Sequence, residues 1–302
     1  MAVCDGGGLM AVDYEAMVRD TMAEIARRLD DPPGFRELAG RVFLSPYHFH
    51  RIFRAMTGES PAELIRRLRL ERAAWQVRNT SRPITELAFT AGYATHEAFT
   101  KAFQQAYGMP PSRFRNGLRT CPGIRAPNGL HFHPGGLTLF HLVDRGGDPM
   151  KLDIVEVPAK RLAAVRHKGP YYLIGAAFGA LAQQAGPLGL MDDPEAMRLA
   201  IYYDDPETKP AEELQAVAAV SVRDDAKIGD LEEERLPSGK FLRAEFVGHY
   251  SGLGEAWARL YGEHIPAGGH TLREGVCLEV YVSDHDSTPP DELRTDLYVP
   301  ID

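Results

Sequence analysis

The chain has 302 residues, 44% of them hydrophobic and 25% charged, with a net charge of -8. That length suffices for two domains, and the balance is that of folded globular protein, neither disordered nor membrane-embedded. No apolar run approaches the roughly 18 residues of a membrane helix, and the first residues lack the basic and apolar regions of a signal peptide.

Three widely spaced cysteines, Cys4, Cys121 and Cys277, suggest reduced thiols rather than a disulfide or zinc framework. A cytoplasmic protein without a membrane partner is therefore expected. The charge is distributed unevenly. Between Arg36 and Arg119, 14 Lys/Arg face 6 Asp/Glu, or +8, whereas from Lys151 to Asp302, 15 face 27, or -12. The basic segment suits a polyanion, although the whole-chain charge argues against one.

Residues 10–116 read as an all-α domain with two helix-turn-helix units. RELAGRVFLSPYHFHRIFRAMTGESP from Arg36 is repeated as TELAFTAGYATHEAFTKAFQQAYGMPP from Thr85. Ser45 with Pro46, and Thr95 in the second copy, are helix starts. Phe49, Ile52, Phe53 and Met56 recur at i, i+3, i+4 and i+7, as do Phe99, Ala102, Phe103 and Ala106, which makes those faces core. The outward faces then carry Tyr47, His50, Arg51 and Arg54 in the first helix. In the second they carry His96, Glu97, Thr100, Lys101 and Gln104. These are side chains that donate or accept at base edges and phosphates. Between the copies, Ser60-Pro61-Ala62-Glu63 opens a helix to about Asn79. Such a helix can hold two reading heads about 34 Å apart, one DNA turn. A helical repeat that binds protein has the same gross pattern.

These segments, with the linker RLRLERAA and the closing PPSRFR, resemble the DNA-binding domain of AraC/XylS-type regulators. The resemblance implies double-stranded DNA as partner, with base contacts from Tyr47, His50, Arg51, His96, Glu97, Thr100 and Lys101.

Residues 117–150 are rich in Gly and Pro and read as a linker with a short strand at Leu137–Leu142. His131, His133 and His141 have no carboxylate or cysteine cluster beside them, so no metal is expected.

Residues 151–302 read as an α+β domain of two repeats, each strand-helix-strand-strand, related by a pseudo-twofold axis. GPYYLIGAAFGAL from Gly169 parallels GHYSGLGEAWARL from Gly248 at an offset of 79; the strand from Leu199 parallels that from Glu279 at an offset of 80. That second alignment sets Leu199 opposite Glu279, a carboxylate in an otherwise apolar strand, which is costly to bury unless paired or partly solvated. Alternation puts Cys277, Glu279 and Tyr281 on one face. Tyr171, Phe178, Tyr250 and Trp257 can wall the same pocket, and a carboxylate with aromatic walls suits a cationic or amphipathic ligand. A structural Glu bonded to backbone or Arg is the alternative.

The duplicated units, LEVYVSDHD and TPPDELRTDLYVPI resemble the GyrI-like effector-binding domain. This implies a small-molecule effector at Glu279, beside which Tyr281, Trp257, Tyr171, Tyr250 and Phe178 are the candidate lining residues; no cofactor and no catalytic residue are expected. Together the two resemblances imply a ligand-responsive transcription regulator, not an enzyme, acting on promoters through orientation or contact with RNA polymerase. Hydrolysis of a small electrophile and modulation of a protein partner are the alternatives.

Overall fold

The computed structural model describes residues 12–302 except 43, 118–123, 139, 147–149 and 207. Cys4 and Cys121 lie outside the described residues. The chain divides into a helical unit spanning Asp13–Arg145 and a sheet unit that includes Gly146–Asp302. Among the described residues no helix is long and apolar enough to cross a membrane.

The helical unit runs α1 (Tyr14–Arg27), α2 (Phe35–Arg41), α3 (Pro46–Thr57), α4 (Pro61–Asn79), α5 (Ile84–Thr90), α6 (His96–Tyr107) and α7 (Pro111–Arg115). The helix starts fall where the sequence puts them. Ser45 Oγ accepts from the His48 amide and Thr95 Oγ1 from the Ala98 amide, at 3.3 and 3.1 Å. Ser60 and Glu63 close a reciprocal capping box on α4. Gly58 and Gly108 end α3 and α6 in the left-handed region, at φ 78° and 73°. The pairs α2–α3 and α5–α6 are thus two copies of one unit joined by α4. Phe99, Phe103, Tyr107 and Phe114 form the aromatic centre of the second.

The stretch read as a linker departs from expectation. Its described part, from Ile124 to Arg145, packs on the helical unit and carries a small hairpin of β1 (Phe132–His133) and β2 (Gly136–Leu137), upstream of most of the expected strand. His131 faces Glu71 and His133 accepts from the Gly135 amide, so these two imidazoles serve local bonds.

The sheet unit contains β3 (Lys151–Val157), β4 (Lys160–Lys168), α8 (Gly175–Ala185), β5 (Arg198–Tyr202), β6 (Gln215–Val222), β7 (Glu232–Leu236), β8 (Gly239–Val247), α9 (Leu253–Arg259), α10 (Ile265–Gly268), β9 (Cys277–Tyr281) and β10 (Arg294–Ile301). A π-helical segment, Leu260–His264, joins α9 to α10. The eight strands form one antiparallel sheet in the order β3-β8-β10-β9-β5-β6-β4-β7. The α+β fold and the duplication hold, and each copy gains a leading strand. That strand crosses to the other copy: β3 pairs with β8, and β7 with β4.

The register corrects the expected equivalence of the copies. Each strand pairing repeats at a constant 79: Arg161↔Val222 becomes Lys240↔Ile301, and Leu199↔Ala219 becomes Leu278↔Tyr298. At this offset RLAIY matches CLEVY, and the counterpart of Glu279 is Ala200, not Leu199. An offset of 80 would put equivalent residues on opposite faces of a pleated sheet. Ala200 is also directly paired with Glu279. The pseudo-twofold axis therefore passes between them, at the centre of the sheet.

Candidate functional site

On α3, Arg51 lies with its guanidinium 5.1 Å from the centre of the Tyr47 ring, and both side chains are partly exposed. A flat cation held against an aromatic face is kept planar and extended, the geometry that bidentate recognition of a base edge requires. Arg54 is engaged by Glu63 at 2.6 Å, which leaves it less suited to phosphate. His50 requires correction: it is only 4% exposed, edge-on to Phe35. The core face of α3 is wider than the i, i+3, i+4, i+7 stripe because α2 packs over this flank.

On α6 all five outward residues meet. His96, Glu97, Thr100, Lys101 and Gln104 line one surface depression of about 360 Å³. The Glu97 carboxyl accepts from its own backbone amide and from the Thr95 hydroxyl, which hold it below the usual carboxylate range. It is thus an anion fixed at the positive end of a helix. Thr100 Oγ1 is enclosed and has no hydrogen-bond partner.

In the sheet unit Glu279 is 5% exposed. Its Oε1 accepts from Trp257 Nε1 at 2.7 Å; its Oε2 accepts from the hydroxyls of Tyr202 and Tyr281 at 2.7 and 2.8 Å. All three donors are neutral, and among the described residues no Lys or Arg pairs with this carboxylate. Burial, and then the charge of Glu279, push both tyrosine hydroxyls well above their ordinary range, so they remain protonated donors.

The aromatic shell is nearly symmetric. Phe178 and Tyr250 meet the Tyr281 ring edge-on at 5.0 and 5.5 Å. Tyr171 meets Tyr202 at 4.7 Å. Tyr171 does not touch the carboxylate: its hydroxyl bonds the carbonyls of Asp204 and Gln215 and the Asp204 amide. Of the expected residues, Glu279, Tyr281 and Trp257 are in direct contact, and Tyr250, Phe178 and Tyr171 stand behind them. Tyr202 was not foreseen. Carrying the 79-residue offset of the helices through the strand would have found it as the mate of Tyr281.

Residues 150–302 match the GyrI-like family, described as a small molecule binding domain, and residues 38–117 match a helix-turn-helix domain family. The chain is 22% identical to the transcriptional regulator Rob of Salmonella typhimurium, over 96% of its own length and 99% of that protein. It is 30% identical over 141 residues to a DNA gyrase inhibitor of Yersinia enterocolitica, covering 45% of this chain and 88% of the inhibitor. Over 107 residues it is 29% identical to the regulatory protein SoxS of Escherichia coli, covering 35% of this chain and all of SoxS.

Proposed function

This chain belongs to the family of the GyrI-like small molecule binding domain, joined to an AraC-type helix-turn-helix domain, and from that premise we propose how it acts as a DNA-binding transcription regulator. In the cytoplasm, the helical unit reads operator DNA with Tyr47 and Arg51 of α3 and with His96, Glu97, Thr100 and Lys101 of α6. The sheet unit senses a cationic or amphipathic organic effector at Glu279. Effector binding then alters promoter activity through orientation of the reading heads or contact with RNA polymerase.

One observation carries the sensor reading: a buried carboxylate whose partners among the described residues are all neutral donors. An anion removed from water without a counter-charge is costly, and a lipophilic cation is the ligand that most relieves that cost. Flat aromatic faces around it add cation–π attraction. Binding, rather than hydrolysis, suits a carboxylate whose oxygens already accept three hydrogen bonds, since a general base must reach a water.

The DNA reading is tested by retardation of a duplex that the wild-type chain selects from a random pool, measured across a salt series. Arg51→Ala is expected to cost about 1–3 kcal/mol at that duplex and to relax preference at one position. Lys101→Ala is expected to weaken binding across sequences and to flatten the salt dependence by about one unit of slope. Affinity indifferent to salt and to both changes would remove α3 and α6 from the interface.

A further inference from the structure

The two helix-turn-helix units share caps and cores, yet they end differently. A helix leaves its last four carbonyls without intrahelical partners. In α3 all four are taken. The Arg54 carbonyl accepts from the Gly58 amide at 2.8 Å. Those of Ala55, Met56 and Thr57 accept from Arg145 Nε, the Val143 amide and Asn128 Nδ2, at 3.3, 2.7 and 3.0 Å. Three of the four donors thus come from the stretch Ile124–Arg145, some 70–90 residues away in sequence.

The same stretch is bolted to α4. Asn128 Nδ2 also donates to Glu59 Oε1 at 2.9 Å, and Asn128 Oδ1 accepts from the Leu130 amide. Arg67 bridges Glu59, Glu71 and the Leu130 carbonyl. Glu71 in turn accepts from the Phe132 amide and faces His131 Nδ1 at 2.9 Å. Asn128, Leu130, Glu59, Arg67 and Glu71 are all buried, so the network is fully made and shielded from water. Ile124 packs on the core of the second unit.

Gly58 shows how closely the stretch is seated. A Cβ there would fall 2.5 Å from Pro127 Cβ and 3.2 Å from Val143 Cγ2. At Gly108, its counterpart on α6, a Cβ would meet nothing within 4 Å. Among the described residues, this close cover is present at Gly58 and not at Gly108.

We propose that residues 124–145 are a brace of the DNA-reading domain, with Asn128 as the positioning residue that fixes the C-terminal end of α3 against α4. This rests on α3 being a reading helix. Asn128 touches no DNA in this account. It acts by holding three chain segments, α3 at Thr57, α4 through Glu59 and Arg67, and the brace at Leu130, so that Arg51 and Tyr47 are presented at a fixed tilt.

The full-length protein and its Asn128→Ala variant test this in two arms. In the first, hydrogen exchange of the free protein is followed over 46–60 and over 96–110. The expected result is exchange at least about tenfold faster in the first span and unchanged in the second. In the second arm, hydroxyl-radical footprints are compared on the duplex selected by the wild-type chain. The expected result is a loss of affinity of about tenfold, with protection lost over the half that Arg51→Ala also loses.

Unchanged exchange in 46–60, equal acceleration in both spans, or footprint loss shared equally by both halves overturns the brace. An exchange difference accompanied by no localised effect of Arg51→Ala overturns the reading of α3, and the positioning role with it. Arg145→Ala, which removes the donor to Ala55, serves as the second variant if Asn128→Ala does not fold.

Discussion

The helical half and the sheet half of this chain are each built from two copies, and in each half the copies share a frame and differ in the side chains it carries. In the sheet half the strand pairings repeat at an offset of 79, and at the axis the copies differ in charge, with Ala200 in the first and Glu279 in the second. In the helical half the caps and aromatic cores repeat, and among the described residues the brace covers Gly58 but not Gly108. Duplication supplies the frame in both cases: in the sheet half the copies pair edge to edge through β5 and β9, and in the helical half α4 joins them. A ligand site or a differentiated reading head then needs only a local break in that symmetry.

Restoring the symmetry at the sheet centre should have the largest effect. Ala200→Glu would place a second carboxylate directly across the strand pair from Glu279, and like charges there are repulsive. A cost of about 3 kcal/mol or more is expected at neutral pH, as for an uncompensated buried charge. Repulsion and burial would raise at least one carboxyl above its unfolded value. Its penalty would therefore grow as pH rises from about 4 towards neutrality, and shrink in acid. Thermal melts at pH 5 and pH 7.5 measure this; equal destabilisation at both would argue that the two carboxyls do not sense each other.

The helical comparison is sharpened by the paired substitutions Gly58→Ala and Gly108→Ala. Both force a side chain into the left-handed region, a cost of about 1 kcal/mol. Gly58→Ala also drives a methyl into Pro127 and Val143, adding about 1–3 kcal/mol of overpacking. Urea denaturation of the two variants should separate them by that margin. Equal losses would mean that the brace yields freely.

A smaller effect is expected from the tyrosines. Both Tyr202 and Tyr281 are pushed well above the ordinary value of 10, by burial first and by Glu279 second. An acid whose folded pKa is raised contributes stability that is intact below its unfolded value and is lost as pH rises beyond it. Wild-type stability should therefore fall above about pH 10, and Tyr202→Phe with Tyr281→Phe should flatten part of that fall. An unchanged slope would show that neither burial nor the carboxylate raises these hydroxyls in the folded state.

Much of this was legible in the sequence because the signals are local. Ser45-Pro46, Thr95 and Ser60 with Glu63 mark helix starts through bonds spanning three residues. Glu279 stood out because a carboxylate interrupts an apolar strand. What escaped depends on contacts distant in sequence. His50 is covered by Phe35 of a neighbouring helix, which helical periodicity cannot register. The brace is Gly- and Pro-rich and resembles a linker until Asn128 is seen on Thr57 and Glu59. Tyr202 was hidden by a one-residue slip in aligning the repeats. In a pleated sheet that slip exchanges the two faces and puts Leu199 where Ala200 belongs.

Glu279, the carboxylate that stands at the axis in the second copy and not in the first, is the proposed effector site. Titrating the full-length protein with tetraphenylphosphonium, a lipophilic cation without hydrogen-bond donors, and following its thermal midpoint tests this most directly. The account predicts saturable stabilisation of the wild type, and at least a tenfold loss of affinity, about 1.4 kcal/mol, in Glu279→Gln, where the charge is gone and the shape is kept. Equal stabilisation of the two proteins would contradict it.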